Sequence, residues 1–531
     1  MQRRPKTLAQ QLAVALARRG VRHAFGMPGG VLLHLLEAFR QEGIEFVLVR
    51  HEGSAGFMAD AAAQLSGVPG VCVGTLGPGV TNLVSPVAGA HLERTPLVAI
   101  TGQIQTELLG TYTHQILDHV ALFESITRNA TLLRKDNPSA HAQKVLASME
   151  SGLPGPVLID VPAELWNEIV EPIEIPVPSP PPVPDETPVV RRLATASRPV
   201  LAVGELGLDE HVAACITELA ERLQAPVITT YRAKGAIDEN HPLSAGAFGL
   251  SRVVDQHQQA LVQRCDVLIA IGLDPVELRP HWLPGWPSHL PMISVGSSPD
   301  IAHPILLDMG ANIRGALTAI LSSAQPGQSV WTTDEIAEHN HEWSKPFDDE
   351  PTGPATYIRA IQHHMGPDAI CSMDVGAHRI TASHAWVCSK PWQQIQSNGF
   401  SSMGTGLPGA IAAKLTHPDR PVLALTGDMG LWMTLGELGI VQERNLDLVV
   451  VYFADRSLSL IELKQERLPL PSHGVRFENP NPIALAEAFG GTGHTVDGLE
   501  SLAAAFEKVH TRGGLHLIEI ALDPTPYRSQ M

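Results

Sequence analysis

The stretch that most restricts the fold is 421–464. It opens with the apolar run PVLALT, continues through GDMG into LWMTLGELGIVQERN, then LDLVVVYF, and closes on ADRSLSLIELKQ. Strand, crossover helix and second strand form a parallel unit, and parallel strands need helices on both faces. Asp428 stands at the tip of the first strand and Asp455 at the tip of the second. Adjacent parallel strands bring both carboxylates to one sheet edge. Gly427 and Gly430 let the backbone approach a ligand closely, and the free N–H groups of the following helix favour a phosphate. Two carboxylates, a carbonyl and phosphate oxygens make a hard octahedral set suited to Mg2+. Either aspartate alone reads as a helix cap or a turn; the pair, its spacing and the glycines together favour the metal site.

The same alternation of short apolar runs and helical stretches fills the rest of the chain, so the fold class is α/β with doubly wound parallel sheets. At 531 residues there is material for three or four domains. The run EPIEIPVPSPPPVPDETP at 171–188 is too rich in proline for a helix or central strand and reads as an extended linker. A softer polar break lies at 323–354. The expected division is a first domain over 1–170, a linker over 171–189, a central Rossmann-like domain over 190–322, a second linker over 323–354 and a third domain over 355–531.

Charged residues make up 17% of the chain, the formal net charge is −18, and no Lys/Arg-rich block interrupts it, which speaks against nucleic acid or an anionic membrane as partner. No apolar stretch is long enough to span a bilayer. Cys72, Cys215, Cys265, Cys371 and Cys388 are scattered, without a C-x-x-C pair, as expected of buried thiols in a reducing compartment. A cytoplasmic location is the expectation.

A second constellation lies near the N-terminus. A strand at 45–49 runs directly into His51 and Glu52 at the start of a helix. A glutamate there is ordinarily a favourable macrodipole contact. Three glycine-rich loops surround it in order: GMPGG at 26–30, TLGPGVTN at 75–82 and TGQ at 101–103. Further on stand GAH at 376–378 and FSSMGTGLP at 400–408. Together with 421–464, these motifs resemble those of the thiamine-diphosphate enzymes, over nearly the whole chain and in the order pyrimidine-binding, central and diphosphate-binding domain. Within that family the chain resembles the acetolactate synthase large subunit, through PGG, GPGVTNLV, GLPGAIAAKLTHPDRPVLALTGD and LAEAFG.

The resemblance implies three doubly wound domains, thiamine diphosphate and Mg2+ as cofactors, and a lyase or carboligase acting on a 2-oxo acid, with a second 2-oxo acid or an aldehyde as partner substrate. It makes Glu52 the catalytic glutamate, and Asp428, Asp455 and the Ser457 carbonyl the Mg2+ ligands. Cofactor contacts fall on Gly29, Gly30, Gly79, Asn82, Gly376, His378, Gly427, Met429, Gly430 and Met433. The Ser401 carbonyl would accept from the cofactor's 4′-amino group, and Met403 would prop its bent conformation. His114 and Gln115 stand where the family has a Phe-Gln pair lining the pocket. Leu460, Ile461 and Lys464 stand on the substrate side. In the family a homodimer is the smallest active unit, with a homotetramer the expected assembly.

The departures are specific. Met429 replaces the second glycine of G-D-G and would be strained if that position needed a positive φ. Asp455 replaces the commoner asparagine, and Ala377 replaces a glutamine. His114 is suited to acid–base work, yet a lone histidine is as readily structural. Lys464 replaces a tryptophan and reads first as a solvated lysine, second as an anchor for an anionic substrate group. IGLDP at 271–275 and SVGSSPD at 294–300 replace the flavin-binding segments, so FAD is not expected. A benzoylformate-decarboxylase-like enzyme releasing an aldehyde, and a homologue that binds the cofactor without turnover, stay open on these residues.

Overall fold

The computed structural model describes residues 5–282, 286–287, 289–348 and 352–530. It contains three six-stranded sheets, each entirely parallel, as the alternation of apolar runs requires. The chain forms two compact units. One holds Met1–Pro178 with Gly399–Asp419 and Leu431–Leu446; the other holds Ser179–Asn398, Arg420–Gly430 and Asp447–Met531.

In the first unit the strand order is Glu45–Leu48, His23–Gly26, Gly70–Gly74, Leu97–Gln103, Val157–Pro162, Asn129–Leu132. Val71, Val73, Val98, Ile100, Val157 and Ile159 point into a core shared with Leu8, Leu12 and Leu16 of helix Leu8–Arg18. That helix begins where it does because Thr7 and Gln10 exchange hydrogen bonds in a capping box, a contribution of about 1 kcal/mol. Lys6–Thr7 pairs antiparallel with Ile169–Val170, tying the start of the chain to the segment that leaves the sheet. Helix Gly406–Thr416 packs on helix Glu52–Ser66; alanine and glycine dominate both, which permits close approach.

In the second unit one sheet runs Ser244–Phe248, Val227–Thr230, Pro199–Val203, Val267–Ile271, Met292–Val295, Ile305–Asp308. The other runs Gln394–Gln396, Ile370–Met373, Val422–Gly427, Leu448–Ala454, Leu515–Ala521, Thr492–Val496. Leu423, Leu425, Val449, Val451, Ile518 and Ile520 of this last sheet are buried with Tyr357, Ile358 and Phe506. Residues 171–186 form neither helix nor strand.

The strand order reverses direction between His23–Gly26 and Gly70–Gly74, and again between Ile370–Met373 and Val422–Gly427. Such switch points are where open α/β sheets bind ligands, beyond the carboxyl ends of the strands. The loops at 26–30, 75–82, 374–378 and 427–430 all leave from these ends.

Two expectations change. The single helix expected after GDMG is three pieces, Asp428–Thr434, a 3-10 turn at Leu435–Glu437, and Leu438–Glu443. Arg50 packs against the later pieces: a Cβ at Gly436 would lie 3.2 Å from the Arg50 Cβ, and one at Gly439 would lie 3.0 Å from its guanidinium. The stretch 323–354 carries helix Thr333–Ser344, started by a capping box between Thr332 and Glu335 and anchored by the Trp343 indole donating to the Ala247 carbonyl at 3.2 Å. The polar composition hid the cap. All five cysteines are buried and free. Among the described residues no helix is long and apolar enough to cross a membrane.

Candidate active site

In the second unit, strand Val422–Gly427 delivers Asp428 and its parallel neighbour Leu448–Ala454 delivers Asp455, with Gly427 opposite Phe453. Asp428 is buried. Its Oδ1 accepts from the Met429 N–H at 2.9 Å; its Oδ2 accepts from the Arg456 N–H at 2.9 Å and the Asn479 amide at 3.1 Å. Burial raises its pKa against these hydrogen bonds. Asp455 accepts from the Ser457 N–H at 3.1 Å and from the Ser459 hydroxyl. Burial, helped by the charge of Asp428, pushes it up to about 6 against the pull of Ser459. Between Asp455 and Ser457, Arg456 lies in the left-handed region at φ 54°. Two neighbouring carboxylates, Asp428 buried and Asp455 half-buried, both with raised pKa values, are a site short of positive charge. Among the described residues no third His, Cys, Asp or Glu joins them. A divalent ion here would complete its shell from a backbone carbonyl and from phosphate oxygens, which suits Mg2+.

The switch-point loop on the neighbouring strand brings Gly376 and His378 to the same edge. His378 is buried, and desolvation, with the charge of Arg379, pushes its pKa down to about 3. It is therefore neutral, and its Nε2 has no protein partner, which leaves a polar atom for a ligand to satisfy. A Cβ at Gly427 would lie 3.3 Å from the His378 ring, and one at Gly376 would lie 2.6 Å from it. Met429 lies in helical backbone and is not among the positive-φ residues, so no strain arises there. Within GDMG the steric demand for glycine falls on Gly430, whose Cβ would sit 2.4 Å from the buried Asp374 carboxylate.

In the first unit, Glu52 opens helix Glu52–Ser66, and the His51 ring caps it by accepting from the Gly53 N–H at 3.0 Å. The Glu52 side chain is buried, and its Oε2 accepts from the Asn82 amide at 2.9 Å. A Cβ at Gly79 would lie 3.1 Å from Glu52 Oε1, and one at Gly29 would lie 2.0 Å from the Thr75 hydroxyl. Glu52, Gly79 and Asn82 thus form one cluster, with the Gly29 loop packed on its flank; Gly30 has open space where a Cβ would go. Ser401 has φ 54°, so the chain turns at this position, and Met403 is half-buried. Met433 is exposed and packs beside Gly404. His114 and Gln115 lie in an exposed stretch, with Gln115 at φ 59° against Gly77. On helix Ser459–Arg467, Leu460 packs on the apolar core while Ile461 and Lys464 are exposed.

Three groups were missed by reading the sequence. Asn479 holds Asp428 from the ENPNP turn. Glu462 anchors the Ser457 hydroxyl, the Ser472 hydroxyl and Arg476, and these hydrogen bonds hold its pKa down at about 2. Glu437, buried, accepts from the Arg50 N–H at 3.2 and 3.1 Å. Each meets its partner across a loop or a long stretch of chain, which spacing does not report.

Models of the thiamine pyrophosphate enzymes match the chain in three blocks. The N-terminal TPP-binding domain covers residues 6–122, the central domain 187–312 and the C-terminal TPP-binding domain 374–520. The acetolactate synthase large subunit of Parasynechococcus marenigrum (strain WH8102) is 32% identical over 96% of this chain and 88% of its own length. The chain belongs to the thiamine-diphosphate-dependent enzymes. Isozyme 2 of the acetolactate synthase large subunit from Escherichia coli (strain K12) is 29% identical over 97% of this chain and 95% of its own. The probable acetolactate synthase large subunit of Methanocaldococcus jannaschii is 28% identical over 97% and 92%. Thiamine diphosphate is thus the cofactor, and the enzyme is a carboligase, lyase or transferase resembling acetolactate synthase. Glu52 falls in the N-terminal matched block and both aspartates in the C-terminal one.

Proposed function

We propose that this enzyme uses Mg2+ and thiamine diphosphate to decarboxylate a 2-oxo acid and join the remaining acyl unit to a second 2-oxo acid or an aldehyde, as acetolactate synthases do. The observation that carries the metal assignment is the pair Asp428 and Asp455 at the tips of neighbouring strands, each raised in pKa by burial, with the charge of Asp428 adding to the rise at Asp455. Asp428, Asp455 and the Ser457 carbonyl would hold the ion, with Gly376, His378, Gly427 and Gly430 leaving room for the diphosphate beside it. When bound, the cofactor supplies the nucleophilic carbon and the electron sink for decarboxylation. Glu52, kept dry and oriented by Asn82, holds a proton at the carboxyl where the cofactor's pyrimidine ring is to be tautomerised. Ser401 and Met403 would contribute a carbonyl acceptor and an apolar prop.

His114, Gln115, Ile461 and Lys464 are the side chains that would face substrate. Their exposure in the isolated chain fits a pocket completed by a second copy, and Leu108, Tyr112, Leu117 and Leu122 are apolar residues exposed in the same stretch as His114 and Gln115. A homodimer is then the smallest active unit, with a homotetramer as the expected assembly. The central domain supports a reading without tightly bound FAD. At its switch point the Leu206 N–H donates to the Gly272 carbonyl at 3.0 Å, and a Cβ at Gly204 would lie 2.4 Å from that carbonyl. These backbone contacts at the switch point speak against a dinucleotide entering there.

The test is a pyruvate assay with Mg2+ and thiamine diphosphate and without added FAD, following acetolactate, acetaldehyde and CO2 together. Acetolactate formation is the expected result. Acetaldehyde without acetolactate would replace the carboligase with a decarboxylase, and no product from any 2-oxo acid would sink the reading.

A further inference from the structure

Behind the loop that abuts Glu52 lies a polar cluster that the motifs do not account for. His119 is 1% exposed, Asp160 1%, Thr101 0% and Gln103 2%. Thr101 and Asp160 are register partners on neighbouring parallel strands, and the Thr101 hydroxyl donates to Asp160 Oδ1 at 2.8 Å. Asp160 Oδ2 lies 3.0 Å from His119 Nδ1. The Gln103 amide nitrogen is 3.4 Å from the same Nδ1 and turns its oxygen to the Ile104 N–H. On the far side of the ring, the Gly77 N–H donates to His119 Nε2 at 3.4 Å. Gly77 is buried at φ 70°, and a Cβ there would strike Gln115 at 2.9 Å.

The protonation state follows from the partners. A backbone N–H only donates, so Nε2 must accept. A carboxylate only accepts, so at the shorter contact Nδ1 must carry the proton for Asp160, and the Gln103 amide nitrogen at 3.4 Å then makes no hydrogen bond to it. The two requirements agree on one neutral tautomer, fixed by Asp160 through the ring. We propose that the His119–Asp160 pair is a positioning device: it holds Gly77, and through the short span to Gly79 it fixes the wall against which the Glu52 carboxyl rests. The proposal rests on the reading of Glu52 as the proton-holding group of the reaction. His119 touches neither the cofactor nor Glu52 and acts through the loop.

The isosteric variant Asp160→Asn tests it. The amide oxygen keeps the Thr101 hydrogen bond, which turns the amide N–H2 toward His119. Nδ1 must then accept, the proton moves to Nε2, and two N–H groups face each other at Gly77. Removing such an outer partner of a site costs about ten- to a hundredfold. The expected result in the full-length holoenzyme is a kcat lowered about tenfold or more with KM little changed. Amide hydrogen exchange over 75–82 should be about tenfold faster. His119→Gln offers an amide oxygen near the place of Nε2 and should recover most of the wild-type exchange and turnover, whereas His119→Phe should not. Wild-type exchange over 75–82 in Asp160→Asn would overturn the proposal, as would equal losses in the Gln and Phe variants. The exchange measurement does not depend on turnover. A wild type that turns over no 2-oxo acid would therefore sink the carboligase reading and leave this pair judged by exchange alone.

Discussion

Glu437 gives a perturbation whose size can be worked from geometry. Its carboxylate accepts from the Arg50 N–H, the His51 N–H and the Ser54 hydroxyl, all at the entry to the helix that begins with Glu52. It is 1% exposed. Glu437→Ala leaves these donors buried without acceptors, at about 1–3 kcal/mol each. Water entering the space returns part of this, so the net cost is about 3–5 kcal/mol, the range for removing one partner from a buried charged contact. Glu437→Gln keeps one acceptor but points an N–H2 at the other donors, costing about 1–3 kcal/mol. Arg50 supplies an internal control. Its guanidinium pairs with Glu443, whose side chain is 60% exposed; Glu443→Ala should cost less than about 1 kcal/mol. Burial raises the Glu437 pKa above its ordinary 4.5 despite the hydrogen bonds. Its folded state therefore loses stability as pH rises from the unfolded pKa to the folded one, and the margin over Glu437→Gln should narrow over that window. The assay is native-state hydrogen exchange over 49–56, which reads the local opening free energy without assuming two-state unfolding of a multidomain chain. An Ala variant with unchanged protection there, or a loss no larger than that of Glu443→Ala, would refute the reasoning.

Asp428→Asn should abolish the rise in melting temperature that Mg2+ with thiamine diphosphate gives the wild type; an undiminished rise would remove Asp428 from the metal site. Asp455 has its pKa raised from 3.8 to about 6 in the metal-free protein, so stability of that form falls as pH rises across this window while the unfolded chain ionises first. Protons compete with the ion below about 6, and Mg2+ affinity measured by calorimetry should fall about tenfold per pH unit there; a flat profile from pH 7 to 5 would contradict the assignment. Gly79→Ala places a methyl 3.1 Å from Glu52 Oε1 and should lower kcat by about tenfold or more while cofactor binding persists; wild-type kcat would show that the carboxyl does not depend on this wall.

What was legible in the sequence is what periodicity encodes. Pro199–Val203 and Val267–Ile271 are strands at the ends expected from their apolar runs, because a fully buried parallel strand has nothing but apolar residues to show. The switch-point loops were legible because glycines there are required by backbone approach, at Gly29 against Thr75 and at Gly430 against Asp374. The break in the 428–443 helix was not, since LWMTLGELGIVQERN reads as one helix, and the packing of Arg50 against Gly436 and Gly439 leaves no local mark. The same holds for Asn479 on Asp428 and for His119 between Asp160 and Gly77. These are contacts between segments far apart in sequence, and no local pattern records them.

The motif departure at 429 shows how sequence and structure divide the work. Read as a pattern, Met429 occupies a glycine position and casts doubt on the diphosphate loop. The backbone at 429 is helical, and its N–H donates to Asp428 Oδ1, a role any residue but proline can fill. The steric demand for glycine falls one residue later, where the Asp374 carboxylate crosses the helix start and also accepts from the Thr426 hydroxyl at 3.1 Å. Asp374 in turn sits at the end of the strand that delivers Gly376 and His378. The two switch-point loops are thus locked through Asp374 and Gly430. A substitution at 429 leaves that lock intact, while Gly430→Ala would press a methyl into the carboxylate.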